Sequence, residues 1–195
     1  MPALLRPVLT VFGVACLLSA ASLASSGTAL AQAKQMGMDK MSSTASGDPA
    51  SYGAAVKEGY DRVRKATDAF HKLDAAVAAG YAASAPQCLA DPTHGGMGYH
   101  HINRELLDRT LDVEHPEILL YERREDGSYA LNGVEFIVPY RVWPADSVPP
   151  RIMGRDLQRA DDLKLWYMHM WAWTPNSAGL FANYNPTVAC RRPPA

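Results

Sequence analysis

The chain has 195 residues, 48% of them hydrophobic and 20% charged, with three Cys. That size fits one domain or two small ones, and the ordinary apolar and charged fractions exclude a wholly disordered chain and a coiled coil. Lys and Arg number 19 against 20 Asp and Glu, with no basic block, so nothing marks a nucleic-acid partner.

Residues 1–31 read as a secretory signal peptide. Arg6 supplies a positive start, an apolar run extends from Val8 to Leu23, and Ala29-Leu30-Ala31 is a small-x-small cleavage pattern. The competing reading is an uncleaved membrane anchor, because the run is just long enough to span a bilayer. Cleavage after Ala31 predicts a periplasmic or secreted protein that keeps no membrane segment. It also removes Cys16 and leaves Cys88 and Cys190, an even pair in an oxidising compartment, which predicts a disulfide between them. A shared two-thiolate metal site is the alternative, but the spacing is nothing like C-x-x-C.

Residues 32–50 read as a flexible Met- and Ser-rich linker. Met36, Met38 and Met41 are soft thioethers of the kind that select Cu(I), or merely the composition of a tail. Asp48-Pro49 is a helix-start signal. From Tyr52 to Tyr81 apolar residues recur at helical spacing through Val56, Tyr60, Val63, Phe70 and Val77. This predicts one amphipathic helix of about 28 residues, ending near Gly80 and Pro86. His71 lies beside its apolar stripe.

Residues 86–103, with Gly95-Gly96-Met97-Gly98, read as a loop, and Asn103–Leu111 as a short helix. Glu117–Glu122 and Tyr129–Val138 are strands joined by the turn Glu125-Asp126-Gly127-Ser128, with a bulge or kink at Asn132-Gly133. Residues 144–156 are a Pro-rich loop. Leu165–Trp173 is apolar on both faces and reads as a central strand; Leu165, Tyr167, His169, Trp171 and Trp173 share one face by alternation. The sum is a single α+β domain over residues 51–195, a long N-terminal amphipathic helix packed on a small antiparallel sheet.

Three residues carry most of the chemistry. His169 sits mid-strand among aromatics, where burial keeps an imidazole neutral and able to ligate. The alternative is a core histidine bonded to backbone. His100 and His101 follow the glycines; neighbours in extended chain point apart, so one of them faces any shared site, and Tyr99 and Ile102 favour His100. His94 is nearer the glycines and less constrained. Glu135 lies between apolar neighbours on a strand, where it is costly unless solvated or partnered. Two imidazoles and a carboxylate suit Zn²⁺ or Cu²⁺ with an open position. No lipase-type G-x-S-x-G, phosphate loop, dinucleotide fingerprint or C-x-x-C-H is present.

Four elements together resemble a group of exported bacterial proteins of unassigned function. They are G-M-G-x-H-x-x-N (Gly96, Met97, Gly98, His100, Asn103), V-E-x-x-V-P (Val134, Glu135, Val138, Pro139), H-x-W-x-W (His169, Trp171, Trp173) and a closing segment Asn185-Pro186-Thr187-Val188-Ala189-Cys190, one residue longer than N-P-x-x-C. The resemblance covers roughly the last half of the chain. It implies export and a shared fold but no activity, and it favours His100 over His101. The leading expectation is an exported protein that binds a small molecule or metal ion at His100, Glu135 and His169, with Asn103, Trp171 and Trp173 as further ligand-binding residues. A Zn-type periplasmic enzyme using the same metal ligands, and a structural module with no site, are the alternatives.

Overall fold

A computed structural model describes residues 47–84 and 87–190, all within one compact unit. The predicted signal peptide, most of the predicted linker with its three Met, and Pro86 lie outside the described residues.

Asp48 behaves as its sequence context predicts: its carboxylate accepts from the Ala50 amide at 3.0 Å, with Pro49 opening the turn. That turn is a single stretch of 3-10 helix, Pro49–Tyr52, which Gly53 ends at φ +99°. Helix α1 (Ala54–Thr67) then buries Val56, Gly59, Val63 and Thr67, as the helical spacing requires.

The long helix does not form. After Thr67 the chain tightens into 3-10 helix over Asp68–His71, Lys72 is extended, and α2 (Leu73–Ala78) is a separate short helix. The residues at the break explain it. Thr67 turns its hydroxyl back to the Val63 carbonyl at 2.8 Å, and Thr, Asp, Phe and His are all mediocre helix formers. Tertiary contacts then fix the irregular turn: Tyr121 donates to the Phe70 carbonyl, and Trp173 donates to Thr67 Oγ1. A helical period survives across the break while the helix itself does not.

The sheet is correspondingly larger than expected. Strands β1 (Ala82–Ala83), β2 (Leu89–Asp91), β3 (Gly95–Ile102), β4 (Ile118–Arg123), β5 (Tyr129–Pro139), β8 (Gln158–Ala160) and β9 (Leu165–Met170) form one antiparallel sheet in the order β1-β3-β4-β5-β9-β8, with β2 also pairing β3. A separate hairpin, β6 (Arg151–Ile152) with β7 (Arg155–Asp156), occupies the predicted Pro-rich loop. The fold is therefore mostly antiparallel sheet, and the expected α+β arrangement of a long helix on a small sheet is overturned.

The β4–β5 hairpin and the central position of β9 match expectation. So does the bulge: Leu120 pairs with Gly133 and Tyr121 with Leu131, leaving Asn132 unpaired. The glycine-rich segment is a strand rather than a loop. Gly98, at φ +94°, lies against the Tyr121 carbonyl, a position that admits no side chain. The short helix predicted over Asn103–Leu111 shrinks to 3-10 helix at Arg104–Leu106.

Side-chain alternation divides the interior in two. Leu119, Tyr121, Val134, Phe136, Val138, Trp166, Met168 and Met170 face the helices in the main core. Ile118, Leu120, Ile137 and Trp171 face the other way and form a smaller cluster with Val188. Val188 comes from the C-terminal segment, which crosses the start of β3: Gly96 and Asn185 exchange backbone hydrogen bonds of 3.1 and 2.9 Å. The Cys88–Cys190 disulfide forms as predicted and ties that segment to the approach to β2, across a sequence separation of 102. No helix among the described residues is long and apolar enough to cross a membrane.

Candidate metal centre

The candidate site lies on the smaller, second face of the sheet. Glu135 on β5 pairs directly with His169 on β9. His100 on β3 lies two strands away, in register with Leu120 of β4, which in turn pairs with Gly133. At Gly133 any Cβ would collide with the Met170 carbonyl, so the backbones of β5 and the end of β9 approach closely there.

The three side chains converge. His100 Nε2 stands 3.5 Å from one carboxylate oxygen of Glu135, and His169 Nε2 stands 3.6 Å from the other. One donor atom from each residue lies within 4.8 Å of the other two. The side chains keep only 11%, 9% and 2% of their surface for His100, Glu135 and His169. These separations are long for hydrogen bonds. They suit ligands around one ion: bonds of ~2.0–2.1 Å in a tetrahedron put neighbouring donors ~3.3–3.4 Å apart. The group can hold a metal ion.

The electrostatics agree. Burial holds both imidazoles neutral, His100 down to about 4 and His169 down to about 3, the latter also through the neighbouring His100. The Gly98 backbone and Asn183 oppose these shifts without reversing them. Burial pushes Glu135 up to about 8. Without a metal ion the triad at neutral pH is thus a carboxylic acid between two neutral imidazoles. Unpaired polar atoms remain: both ring nitrogens of His169 and Nδ1 of His100 have no hydrogen-bond partner. Leaving a buried polar group unsatisfied costs ~1–3 kcal/mol, and a metal ion on Nε2 removes part of that cost for His169.

His101 points to the opposite face and packs on Tyr121, ring centroids 5.0 Å apart, as the alternation of a strand demands. His71 and His94 are also elsewhere, His71 edge-on to Trp173 and His94 bonded to Asp91. Trp171 flanks the triad, its ring stacked near His169 at 6.4 Å and its Nε1 donating to the Ala182 carbonyl.

Trp173 and Asn103 do not join it. Strand β9 ends at Met170, so alternation does not extend to residue 173; Trp173 lies in the main core under the Arg64 guanidinium, 4.0 Å from its ring centroid. Asn103 is a joint of the fold: it caps the turn at Glu105 and donates to the Ala79 carbonyl.

Three more residues bear on the site, two of which, Asn183 and Glu117, the sequence reading did not single out. Asn183 stands beside His169, donates to the Tyr167 hydroxyl at 3.0 Å, and keeps its Oδ1 unpartnered. Tyr167 lines the same cleft as the triad. Glu117 is buried and accepts from the Ile137 amide at 3.0 Å, capping the ladder where β4 begins; burial lifts its carboxyl to about 8. Tyr167 had a sequence signal in the alternation that puts it on the His169 face, and Glu117 had one as a carboxylate leading directly into an apolar run; Asn183 had none. No protein-family profile, curated protein or solved structure matches this chain.

Proposed function

We propose that this is an exported protein that binds a divalent metal ion, Zn²⁺ or Cu²⁺, through His100, Glu135 and His169. One observation carries the reading: two buried imidazole Nε2 atoms address the two oxygens of a single buried carboxylate at 3.5 and 3.6 Å. Two nitrogens and an oxygen are a donor set for those borderline ions, and three protein ligands leave a coordination position open. The disulfide supports a compartment outside the reducing cytosol, as do the signal-like residues 1–31 and the resemblance to exported bacterial proteins.

Binding is favoured over catalysis by the lining of the cleft. Apart from the triad, its polar residues are Ser84 and Tyr167, a sparse set for the acid–base steps that accompany a metal-bound water.

The test is elemental analysis of the purified oxidised protein, followed by titration of chelator-stripped protein with zinc and copper. Stoichiometric binding by wild type, lost in His169→Ala and in Glu135→Gln, is the expected result. A protein that takes up neither ion, and shows no thermal shift with either, overturns the proposal.

A further inference from the structure

The triad forms one wall of a cleft of about 430 Å³ whose other walls include Leu89, Met97, Ile102, Ile137, Leu163 and Leu165. Leu89 and Leu163 are 46% and 72% exposed, two of the four large hydrophobics left exposed among the described residues. Apolar side chains held at the rim of a cavity, rather than scattered, mark a binding surface for something equally apolar.

Charge selects the other end of the occupant. A divalent ion bound by one carboxylate and two neutral imidazoles carries a net single positive charge in a poorly solvated place. One monoanion neutralises it, and an oxygen donor fills the open position. Tyr167 offers a second contact: its hydroxyl accepts from Asn183 and keeps its own proton to donate.

We infer that the cleft takes a small monocarboxylate with an apolar tail, one carboxylate oxygen on the metal, the other accepting from Tyr167, and the tail along Leu89, Ile102 and Leu163. This rests on the metal reading of the same triad. The chemistry is coordination only; no covalent bond forms or breaks.

Calorimetric titration of zinc-loaded protein with octanoate tests it, with acetate as the head alone and 1-octanol as the tail alone. Octanoate is expected to bind zinc-loaded protein at least about tenfold more tightly than zinc-free protein, and at least about tenfold more tightly than acetate or octanol. Tyr167→Phe, loaded to full zinc stoichiometry, is expected to bind octanoate about tenfold more weakly than zinc-loaded wild type. Zinc bound at full stoichiometry with octanoate no better than acetate overturns the apolar tail. Octanol equal to octanoate overturns carboxylate coordination, and an unchanged Tyr167→Phe overturns the hydroxyl contact. Absence of zinc uptake by wild type overturns the metal reading and this inference with it.

Discussion

His169 brings two ring nitrogens into the sheet with no partner for either, and Asn183 brings an unpartnered oxygen beside them. A metal ion on Nε2 fixes the tautomer that carries its proton on Nδ1, and that proton needs an acceptor. Asn183 Oδ1 is the available one. Asn183→Leu is therefore expected to fold, because the side chain is only part-buried, yet to weaken metal affinity by ~10–100-fold, the usual effect of losing a residue that orients a ligand. Metal competition with a chromophoric chelator checks this; unchanged affinity refutes the role. Glu135→Gln separates ligation from packing. A carboxylic acid that stays protonated to about pH 8 is nearly isosteric with an amide, so the variant should melt within a few degrees of wild type at pH 6. It should nonetheless lose metal affinity by more than the roughly hundredfold ceiling for a merely supporting residue. Of this site, all three residues were legible in sequence: Glu135 and His169 because a carboxylate or imidazole inside an apolar strand demands a partner, and His100 because only one of two adjacent histidines can face a shared site. The spacing of their donor atoms was not legible, because it depends on strand register.

At the level of elements, what was legible is what local pattern controls. The β4–β5 hairpin is written in two alternating runs around a turn, and Asn132-Gly133 announces its bulge. The cysteine pair followed from counting. Strand β3 was illegible because three of its first four residues are glycines, which carry neither β propensity nor a face; tertiary pairing alone makes Gly95–Ile102 a strand. Strands β1, β2 and β8 have three residues or fewer, too short for any period to register. The broken helix failed the opposite way, with a clear period contradicted by side-chain bonding at Thr67. Two substitutions probe these elements. Gly133→Ala sets a methyl against the Met170 carbonyl and should destabilise by ~1–3 kcal/mol, with metal affinity falling as β5 and β9 shift. A fully stable Gly133→Ala contradicts the close approach. Replacing Cys88 and Cys190 together by Ser releases a loop of about 100 residues. It should cost up to ~4–5 kcal/mol in the chain-entropy view, read as a lower denaturant midpoint.

For the whole molecule, four buried groups give the metal-free protein a stability plateau with two edges. His100 and His169 take protons at about 6.5 in the unfolded chain but only at about 4 and 3 when folded. Their contribution is complete above 6.5 and is lost as pH falls through those lower values. Glu135 and Glu117 do the reverse. They lose protons near 4.5 unfolded and near 8 folded, so their contribution is complete below 4.5 and is lost as pH rises to 8. Between 4.5 and 6.5 the unfolded chain holds two histidine protons and the folded one two carboxyl protons. The difference in bound protons is near zero and stability is flat. Above 6.5 the unfolded chain sheds its histidine protons while the fold keeps its two carboxyl ones, so chelator-stripped protein should lose stability by roughly 2 kcal/mol per pH unit on the way to pH 8. Metal changes the upper edge alone. Coordination requires the Glu135 carboxylate, so the metal displaces the proton that the fold would otherwise retain, and apparent affinity rises with pH until about 8. Thermal melts from pH 4 to 8.5, stripped and with zinc fixed at a hundredfold excess over its dissociation constant at pH 8, should diverge progressively as pH rises, the gap reaching ~2.7 kcal/mol near pH 8. Glu135→Gln should remove about half of the decline in stripped protein, since Glu117 remains, and should abolish the gap. A stripped wild type whose melting temperature is level from pH 6.5 to 8.5 would show that neither carboxyl holds its proton in the fold.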